Sequence, residues 1–348
     1  MRKLASVQRI YKIEPIEGAD RIELAHVLGW QCVVPKGQFT EMDLCVYFEI
    51  DSFLPVAPEF EFLRQSYKKN DLNGEGFLLK TKIFKKKISQ GLIMRLEDVL
   101  PAEKVVENSV LGKDLTLEIG VREWKVQEMA SGSGTVIGGL PAEVKKTDET
   151  RIQTCPELLK EFADKEYYIT TKMDGSSHSI CIDSMGNFHV TSHNCELKDD
   201  GKSPFYEFVK KHELEQLLRL VAEKRYSANS ITVQGEWCGP GVQKNRLKLQ
   251  IPNWYVFTVD INGERQDWST ICYIANYLDV HTVPLEEIGN DLTTKYSSVD
   301  DLLKRADGKY PNGGPQEGIV IRPTTPVYSD LLGADLSMKV INNKYLGE

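Results

Sequence analysis

The chain has 348 residues, of which 41% are hydrophobic and 27% are charged, and its formal net charge is −8. This composition is ordinary for a globular protein, and no apolar run approaches the roughly 20 residues that a membrane-spanning helix needs. The N-terminal segment lacks the apolar stretch of a secretory signal, and the seven scattered cysteines include no C-x-x-C pair. We therefore expect a cytoplasmic, monomeric protein with free thiols, no zinc site and no membrane partner.

The first third of the chain carries short apolar and β-branched runs between turn signals. These runs predict strands over residues 6–13, 23–27, 32–34, 44–50, 76–82, 91–96 and 114–118. Such spacing is typical of a small β-barrel with few helices, and we assign residues 1–127 to it. Residues 128–145 are rich in Gly, Ser and Ala and show no periodicity, so they are predicted to be a linker.

Strands and helices mix after the linker. The predicted strands are residues 167–171, 177–183, 187–192, 231–235, 254–261, 318–321 and 336–341. Helices are predicted over residues 203–225, 269–278 and 298–306, and Ser203 and Pro204 provide the N-cap and first turn of the first one. We therefore expect an α+β domain over residues 146–348, built around antiparallel sheets.

A candidate nucleophile, Lys172, lies in the segment Lys172-Met173-Asp174-Gly175, directly after a predicted strand. A lysine with the usual pKa of about 10.4 is a poor nucleophile, so attack on phosphorus requires surroundings that favour the neutral amine. Nearby cations would favour it, and the glycine would let the backbone turn tightly beside a phosphate. Alone, the pattern is weak, because a surface turn with a solvated lysine is an equally good interpretation.

An ordered series of motifs follows Lys172. It comprises SHNCELK at 192–198, QGEW at 234–237, WYVFT at 254–258, EGIVIR at 317–322 and SMKVI at 337–341. This order resembles the motif series of covalent nucleotidyltransferases, the superfamily of DNA ligases, RNA ligases and messenger-RNA capping enzymes. The resemblance implies that Lys172 attacks the α-phosphorus of ATP and becomes covalently attached to AMP.

The same chemistry assigns further roles. Attack builds negative charge on the α-phosphate, so a cation is needed there, and Lys339 is suited both to this and to lowering the pKa of Lys172. Phe257 would stack on adenine, although an aromatic residue in a strand more often belongs to the core. The candidate oxygen ligands for Mg²⁺ or Mn²⁺ are Asp174, Glu236 and Glu317.

The chain resembles RNA ligases in particular. Residues 146–153 look like the segment in which an arginine, here Arg151, approaches the nucleotide, and residues 16–23, 29–30 and 46–52 resemble the N-terminal OB domain of RNA ligases from Naegleria and Deinococcus. DNA ligases and capping enzymes carry their OB domain after the catalytic core. The resemblance implies an ATP-dependent RNA ligase with an OB-type β-barrel before an ATP-grasp-like antiparallel domain. The nucleotide-binding residues that it implies are Arg151, Thr171, Lys172, Met173, Asp174, Asn194, Glu236, Phe257 and Lys339.

An RNA partner requires a basic surface. The densest positive cluster, KTKIFKKK at residues 80–87, also carries an aromatic residue, as nucleic-acid-binding grooves of OB barrels do. The candidate phosphate contacts are Lys82, Lys85, Lys86 and Lys87. A solvated basic loop is an equally good interpretation of this cluster.

Two other functions remain open at this point. A capping-type guanylyltransferase would use Lys172 with GTP, although the N-terminal barrel argues against it. A catalytically inactive nucleic-acid-binding protein with an OB domain is the second, although the intact motifs argue against it. One departure from related ligases is His193, which stands where they usually have an arginine.

Overall fold

A computed structural model of the chain describes residues 3–70, 73–85, 87–124, 134–311 and 313–346. The chain divides into two compact units, and of the described residues the first contains those up to 124 together with Leu346, whereas the second contains residues 134–345. Within these described ranges, no helix is both long enough and apolar enough to cross a membrane.

The first unit consists mainly of short antiparallel strands. Its strands are Ala5–Arg9, Lys12–Pro15, Ile22–Val27, Trp30–Pro35, Leu44–Phe48, Ser52–Leu54, Tyr67–Asn70, Gly74–Leu78, Lys82–Phe84, Lys87–Ser89, Leu92–Met94 and Arg122–Glu123. The helical segments are Pro58–Ser66, Leu96–Val99 and Ala102–Asn108. Val7, Val46 and Phe77 lie in one apolar core, and Trp30 and Tyr47 lie in a second one. Short strands around apolar cores give the β-rich domain that the sequence predicts.

Residues 114–118 do not form the predicted strand. Asp114 makes a single bridge with Ser6, and the Thr116 hydroxyl accepts the backbone N–H groups of Leu4 at 2.9 Å and Ala5 at 3.2 Å. The Thr116 hydroxyl thus accepts hydrogen bonds that a backbone carbonyl would accept in a regular strand pair. Residues 114–118 therefore run beside the first strand as a series of turns.

The second unit contains two antiparallel sheets. The larger sheet has, in spatial order, Val136–Gly139, Cys195–Leu197, Phe188–Ser192, Ser176–Ile182, Ile231–Cys238, Asn253–Ile261 and Glu264–Arg265, with His281–Thr282 parallel to Asn253–Ile261. The smaller sheet has Leu285–Gly289, Tyr167–Lys172, Gly318–Pro323 and Met338–Ile341. Tyr328–Ser329 and Ala334–Asp335 form a separate pair.

Helices accompany the two sheets. The α-helices are Leu158–Glu161, Pro204–Lys211, Leu214–Val221, Trp268–Tyr277, Leu292–Lys295, Val299–Arg305 and Asn343–Leu346. Ile152–Thr154 is a 3₁₀ turn and Ala222–Tyr226 is a π-helical turn. Phe205 packs on Trp237 and Trp254 of the larger sheet, with ring centroids 5.5 and 5.2 Å apart. Aromatic contacts thus hold the Pro204–Lys211 helix on the sheet.

The helix predicted over residues 203–225 is interrupted. Ser203 caps it as predicted, because its hydroxyl accepts the Tyr206 N–H at 3.2 Å. The helix ends at Lys211, and Glu213 adopts a left-handed conformation with a φ of 53° before the next helix begins at Leu214. The break involves neither Gly nor Pro, so the sequence carries no signal for it.

Part of the predicted linker belongs to the larger sheet. Val136–Gly139 pairs antiparallel with Cys195–Leu197, and the Thr135 hydroxyl donates to the Asp200 carboxylate at 2.7 Å. All four residues of this edge strand are exposed, so it lacks the alternating pattern by which a half-buried strand is recognised. Residues 128–133 of the predicted linker lie outside the described part of the chain.

The chain crosses from the smaller sheet to the larger one at Lys172–Ser176, where one strand ends and the next begins. A Cβ on Gly175 would lie 2.4 Å from the Trp237 carbonyl oxygen and 2.6 Å from Cys238 Sγ. The glycine is therefore required for close approach to a neighbouring strand, and its role in a tight turn beside a phosphate stays a prediction.

Gln153 is fully buried, and neither atom of its side-chain amide has a hydrogen-bond partner within the residues that the structure describes. An unpaired buried polar group costs about 1–3 kcal/mol. We expect Gln153→Leu to raise the free energy of unfolding of the second unit by about 1–3 kcal/mol, measured by urea denaturation. Gln250→Leu, at an exposed glutamine, is the control and should change stability by less than about 0.5 kcal/mol. Equal stability of Gln153→Leu and wild type would contradict the prediction.

Candidate active site

A cleft in the second unit is lined by both sheets. The Tyr167–Lys172 and Gly318–Pro323 strands of the smaller sheet and the Ile231–Cys238 and Asn253–Ile261 strands of the larger sheet contribute side chains to it. The lining residues are Thr147, Glu149, Thr170, Thr171, Lys172, Met173, Glu236, Phe257, Val283, Val320 and Arg322. The structure thus brings together five of the residues predicted to bind the nucleotide, which are Thr171, Lys172, Met173, Glu236 and Phe257.

Lys172 is the last residue of its strand and lies opposite Gly318 in the next one. Its Nζ is 2.8 Å from Oε1 of Glu317, the residue before that glycine. Burial alone would lower the pKa of Lys172, but the negative charges of Glu317 and Glu236 outweigh burial and raise the pKa above its ordinary value. This corrects the prediction that Lys339 lowers it, because the carboxylates dominate the surroundings of the amine.

Lys339 is the lysine with the lowered pKa. It lies on the Met338–Ile341 strand, its N–H donates to the Thr150 carbonyl at 2.8 Å, and its backbone forms a parallel bridge with Arg151. Burial, together with repulsion from Lys172 and Arg151, lowers the pKa of Lys339 to about 8. Three cationic side chains therefore act on one another at this end of the smaller sheet.

Glu236 extends from the larger sheet into the cleft. Burial raises its pKa to about 7, and the charge of Glu317 adds to the rise while Lys172 opposes it. A carboxyl group with this pKa exchanges its proton near neutral pH. Such shifts are frequent where catalytic groups gather.

Asp174 is held by two side chains that the sequence analysis did not identify. Its Oδ2 accepts from Arg246 Nη1 at 3.3 Å, and its Oδ1 accepts from the Tyr345 hydroxyl at 2.9 Å. The Arg246 guanidinium also lies 4.0 Å from the centroid of the Tyr345 ring. Each oxygen of Asp174 therefore already accepts one hydrogen bond, and its role as a metal ligand stays a prediction.

The described residues contain no group of three or more His, Cys, Asp or Glu side chains that could hold a metal ion. The predicted three-carboxylate set is therefore not assembled. Mg²⁺ in nucleotide sites, however, is commonly held by one or two carboxylates together with substrate phosphates. Glu236 and Glu317, whose charges both raise the pKa of the Lys172 amine, fit that smaller requirement.

The wall beside Phe257 carries a buried ion pair. Arg322 pairs with Glu149 through Nη2 and donates from Nη1 to the Phe257 carbonyl at 2.5 Å, and its guanidinium lies 5.8 Å from the Phe257 ring centroid. Burial alone would raise the pKa of Glu149, but the Arg322 charge holds the pKa below its ordinary value. Phe257 is only partly buried and is exposed to the cleft, so it is not a simple core residue.

Four of the residues predicted to bind the nucleotide are not among the cleft-lining residues, and they are Asp174, Asn194, Arg151 and Lys339. Asn194 lies in the turn between the Phe188–Ser192 and Cys195–Leu197 strands, and Arg151 and Lys339 pair through their backbones beside the cleft. His193, next to Asn194, lies 3.6 Å from the Asp148 carboxylate, and this contact raises the pKa of the imidazole.

Tyr310 was also missed by the sequence analysis. Its hydroxyl donates to the Lys172 carbonyl at 2.8 Å and accepts the Glu317 N–H at 3.2 Å. It lies in a Pro- and Gly-rich segment that carries no recognised motif. Nothing in the local sequence signals these contacts, nor those of Arg246 and Tyr345.

In the first unit, three of the predicted phosphate-contacting lysines, Lys82, Lys85 and Lys87, belong to a hairpin formed by the Lys82–Phe84 and Lys87–Ser89 strands. Lys82, Lys85 and Lys87 are exposed, and no ion pair involves them among the residues that the structure places. Lys86 lies outside the described part of the chain.

Comparison with known proteins gives consistent results. A family model of RNA ligases matches residues 165–341, and a model of an OB-fold domain matches residues 4–96. No curated protein sequence matches the chain. These matches confirm the predicted α+β fold with its N-terminal OB-type domain.

Solved structures of the Naegleria gruberi RNA ligase are similar to this chain over nearly its whole length. A mutant with AMP and Mn and another mutant with ATP and Mn each give a TM-score of 0.79 at 26% sequence identity, covering 99% of this chain and 98% of that chain. The enzyme with PPi gives a TM-score of 0.77 at the same identity and coverage. The predicted resemblance is confirmed, and the chain belongs to the RNA ligase family.

Proposed function

We propose that the protein is an ATP-dependent RNA ligase that joins 3′-hydroxyl and 5′-phosphate ends. The observation that carries the proposal is the Lys172 amine in a cleft with Glu317 at 2.8 Å, Glu236 alongside, and Lys339 and Arg151 near the same strand end. This is an amine nucleophile with cations for a phosphate and carboxylates for a metal. The similar Naegleria enzyme has been solved with ATP, AMP and PPi.

The cleft provides separate surroundings for the two parts of ATP. Phe257, Val283 and Val320 offer apolar contacts for a purine ring, whereas Lys172 and Glu236 line the same cleft with charge. The adenine therefore lies against the apolar side chains and the α-phosphate lies near Lys172.

In the first step, Nζ of Lys172 loses a proton to the solvent and forms a bond to the α-phosphorus of ATP. The bond from that phosphorus to the bridging oxygen breaks, and pyrophosphate leaves. Lys339, with Arg151 beside it, supplies positive charge to the α-phosphate oxygens as they gain negative charge. A divalent cation, Mg²⁺ or Mn²⁺, held by Glu236 and Glu317 would neutralise both the leaving group and the carboxylates that now favour the ammonium form of Lys172.

The next two steps transfer AMP and then release it. An oxygen of the RNA 5′-phosphate attacks the phosphorus of the lysyl-AMP, the N–P bond breaks, and Lys172 is regenerated. The RNA 3′-hydroxyl then loses its proton, attacks the 5′-phosphate and displaces AMP. Lys339 is placed to stabilise the adenylate phosphate in each of these steps, because that phosphate stays attached to the same adenosine.

The test is incubation with ATP or GTP labelled at the α-phosphate, in the presence of Mg²⁺ or Mn²⁺, followed by sealing of a nicked duplex with RNA on the 3′-hydroxyl side. We expect a covalent label from ATP only, and joined RNA. A label from GTP alone would indicate a capping-type enzyme. An unlabelled protein that still binds RNA would indicate the inactive binding protein, and joining of DNA ends alone would overturn the RNA assignment.

We propose that the basic hairpin of the first unit contacts RNA phosphates. Phe84 pairs with Lys87 across the hairpin, and Lys82 lies two residues before Phe84 on the same strand. Because strand side chains alternate, these three side chains share one face. Lys82, Phe84 and Lys87 are all exposed, and exposed cations beside an aromatic ring suit a single strand.

Replacing Lys82 and Lys87 together by Gln should weaken RNA binding and its salt dependence. Each lost phosphate contact lowers the slope of log K against log salt by about 0.7 for a single strand, so the double variant should lose about 1.4. Filter binding across a salt series measures the slope, and ATP labelling should be unchanged. The control replaces the exposed Lys68 and Lys113 by Gln. An unchanged slope in the Lys82 and Lys87 variant would contradict the assignment.

Other features of the proposal remain predictions from the sequence. The domain assignment is an OB domain over residues 1–127 and a nucleotidyltransferase domain from residue 146. The pairing of Val136–Gly139 with Cys195–Leu197 favours an earlier start for the second domain. A monomeric state and a cytoplasmic location are expected, and sedimentation and cell fractionation measure them.

A further inference from the structure

Tyr310 connects two parts of the candidate active site through one oxygen atom. Its side chain is 3% exposed and belongs to the apolar core that contains Trp237. Its hydroxyl donates to the carbonyl of Lys172 at 2.8 Å and accepts the N–H of Glu317 at 3.2 Å. A single phenol oxygen therefore bridges the backbones of the nucleophile and of the carboxylate that contacts it.

The position of this hydroxyl matters because the strand ladder stops at the same point. Lys172, paired with Gly318, is the last residue of its strand, and Glu317 precedes the Gly318–Pro323 strand. Regular backbone pairing holds the residues on one side of this position. At the end of the ladder, the Tyr310 hydroxyl links the Lys172 carbonyl to the Glu317 N–H, which no backbone pair of the ladder does.

The segment that carries Tyr310 is itself fixed. The Tyr310 N–H donates to the Gly314 carbonyl at 2.9 Å. Asn342, which is 1% exposed, donates from its backbone N–H to the Glu317 carbonyl at 2.9 Å and from its side-chain amide to the Gln316 carbonyl at 3.0 Å. Glu317 is thus held on its N–H side by Tyr310 and on its carbonyl side by Asn342.

We infer that Tyr310 is a positioning residue for adenylylation, which holds Lys172 and Glu317 at the separation that the first step requires. The inference rests on the proposed ligase function. Tyr310 contributes backbone placement, since both of its hydroxyl contacts are with main-chain atoms. Misplacement of a reacting group by about 1 Å can cost a factor of about 100 in rate.

The test is Tyr310→Phe, which keeps the ring in the core and removes the bridging oxygen. Single-turnover labelling with α-labelled ATP gives a rate constant, an amplitude and the ATP concentration at half saturation. We expect the rate constant to fall about 10- to 100-fold, whereas the amplitude and half-saturating concentration stay within about twofold of wild type. A merely structural role would lower the amplitude, because fewer molecules would be folded, and would leave the rate constant unchanged.

Tyr296→Phe is the matched control. Tyr296 is 8% exposed, and its hydroxyl donates to the Glu287 carboxylate at 2.9 Å, so the same change removes a comparable hydrogen bond away from the cleft. Its rate constant should equal that of wild type. Suppose that the wild-type protein is labelled by ATP. If the Tyr310→Phe variant is then labelled at the same rate, or loses only amplitude, the positioning role is overturned and the ligase function stands. If wild type itself takes no label from ATP, the ligase function fails and the inference fails with it.

Discussion

Lys172→Ala is expected to abolish covalent labelling by ATP. The change removes the only atom to which AMP is bonded in the proposed first step, and loss of a covalent nucleophile costs on the order of 10⁴-fold or more in rate. Sealing of RNA with an ordinary 5′-phosphate should fall equally, because every turnover passes through the lysyl-AMP. Denaturing gels with α-labelled ATP measure the first effect, and product gels measure the second.

The same variant should still join RNA that already carries AMP on its 5′-phosphate. In that last step the 3′-hydroxyl attacks the 5′-phosphate and AMP leaves, so no lysine nucleophile is needed. Lys160→Ala, at an exposed lysine of the same unit, is the control and should label and seal as wild type does. Labelled Lys172→Ala protein would show that another side chain carries the adenylate.

Removal of the Lys339 cation is expected to have the second largest effect. Lys339→Met should lower the labelling rate by about 100- to 1000-fold, a loss typical of removing one preorganised group that stabilises developing charge. Lys339→Arg keeps a positive charge and should recover part of this loss. Rates measured at saturating and limiting ATP separate weaker ATP binding from a slower chemical step.

The pH dependence of the arginine variant tests the assignment further. The pKa of Lys339 is lowered to about 8, so its charge is present below that pH and is lost as the pH rises through it. Arginine stays charged across this range. The ratio of wild-type to Lys339→Arg values of kcat/KM for labelling should therefore fall above pH of about 8, since this parameter reports the free enzyme. A ratio that stays constant from pH 7 to 10 would show that the charge of Lys339 does not contribute to labelling.

Candidate catalytic residues could be predicted from the sequence where they lie in a short motif at the end of a predicted strand. Lys172, Glu236 and Glu317 follow or precede recognisable strands, and the structure places them around one cleft. The sign of the Lys172 pKa shift was not predictable, because it depends on whether cations or carboxylates dominate around the amine. That balance is a property of the tertiary structure.

Supporting residues could not be predicted for a related reason. Tyr310, Arg246 and Tyr345 reach the Lys172-Met173-Asp174 segment from distant positions, and their own surroundings in the sequence show neither a motif nor periodicity. The break at Glu213 and the exposed Val136–Gly139 strand were missed because neither has a compositional signal. A pattern of apolar residues predicts which face of a helix or strand is buried. Neither the break at Glu213 nor the fully exposed Val136–Gly139 strand alters such a pattern.

The order of strands in the smaller sheet bears on when the enzyme becomes competent during synthesis. Gly318–Pro323 lies between Tyr167–Lys172 and Met338–Ile341, so the nucleophile strand meets its neighbour only after a long intervening stretch of chain has been made. Contacts this distant in sequence form late, because closing the loop between them costs entropy first. A nascent chain in which residues 317–341 have not yet been made would therefore hold Lys172 without its carboxylate partner Glu317 and without Lys339, and we expect it to form no lysyl-AMP.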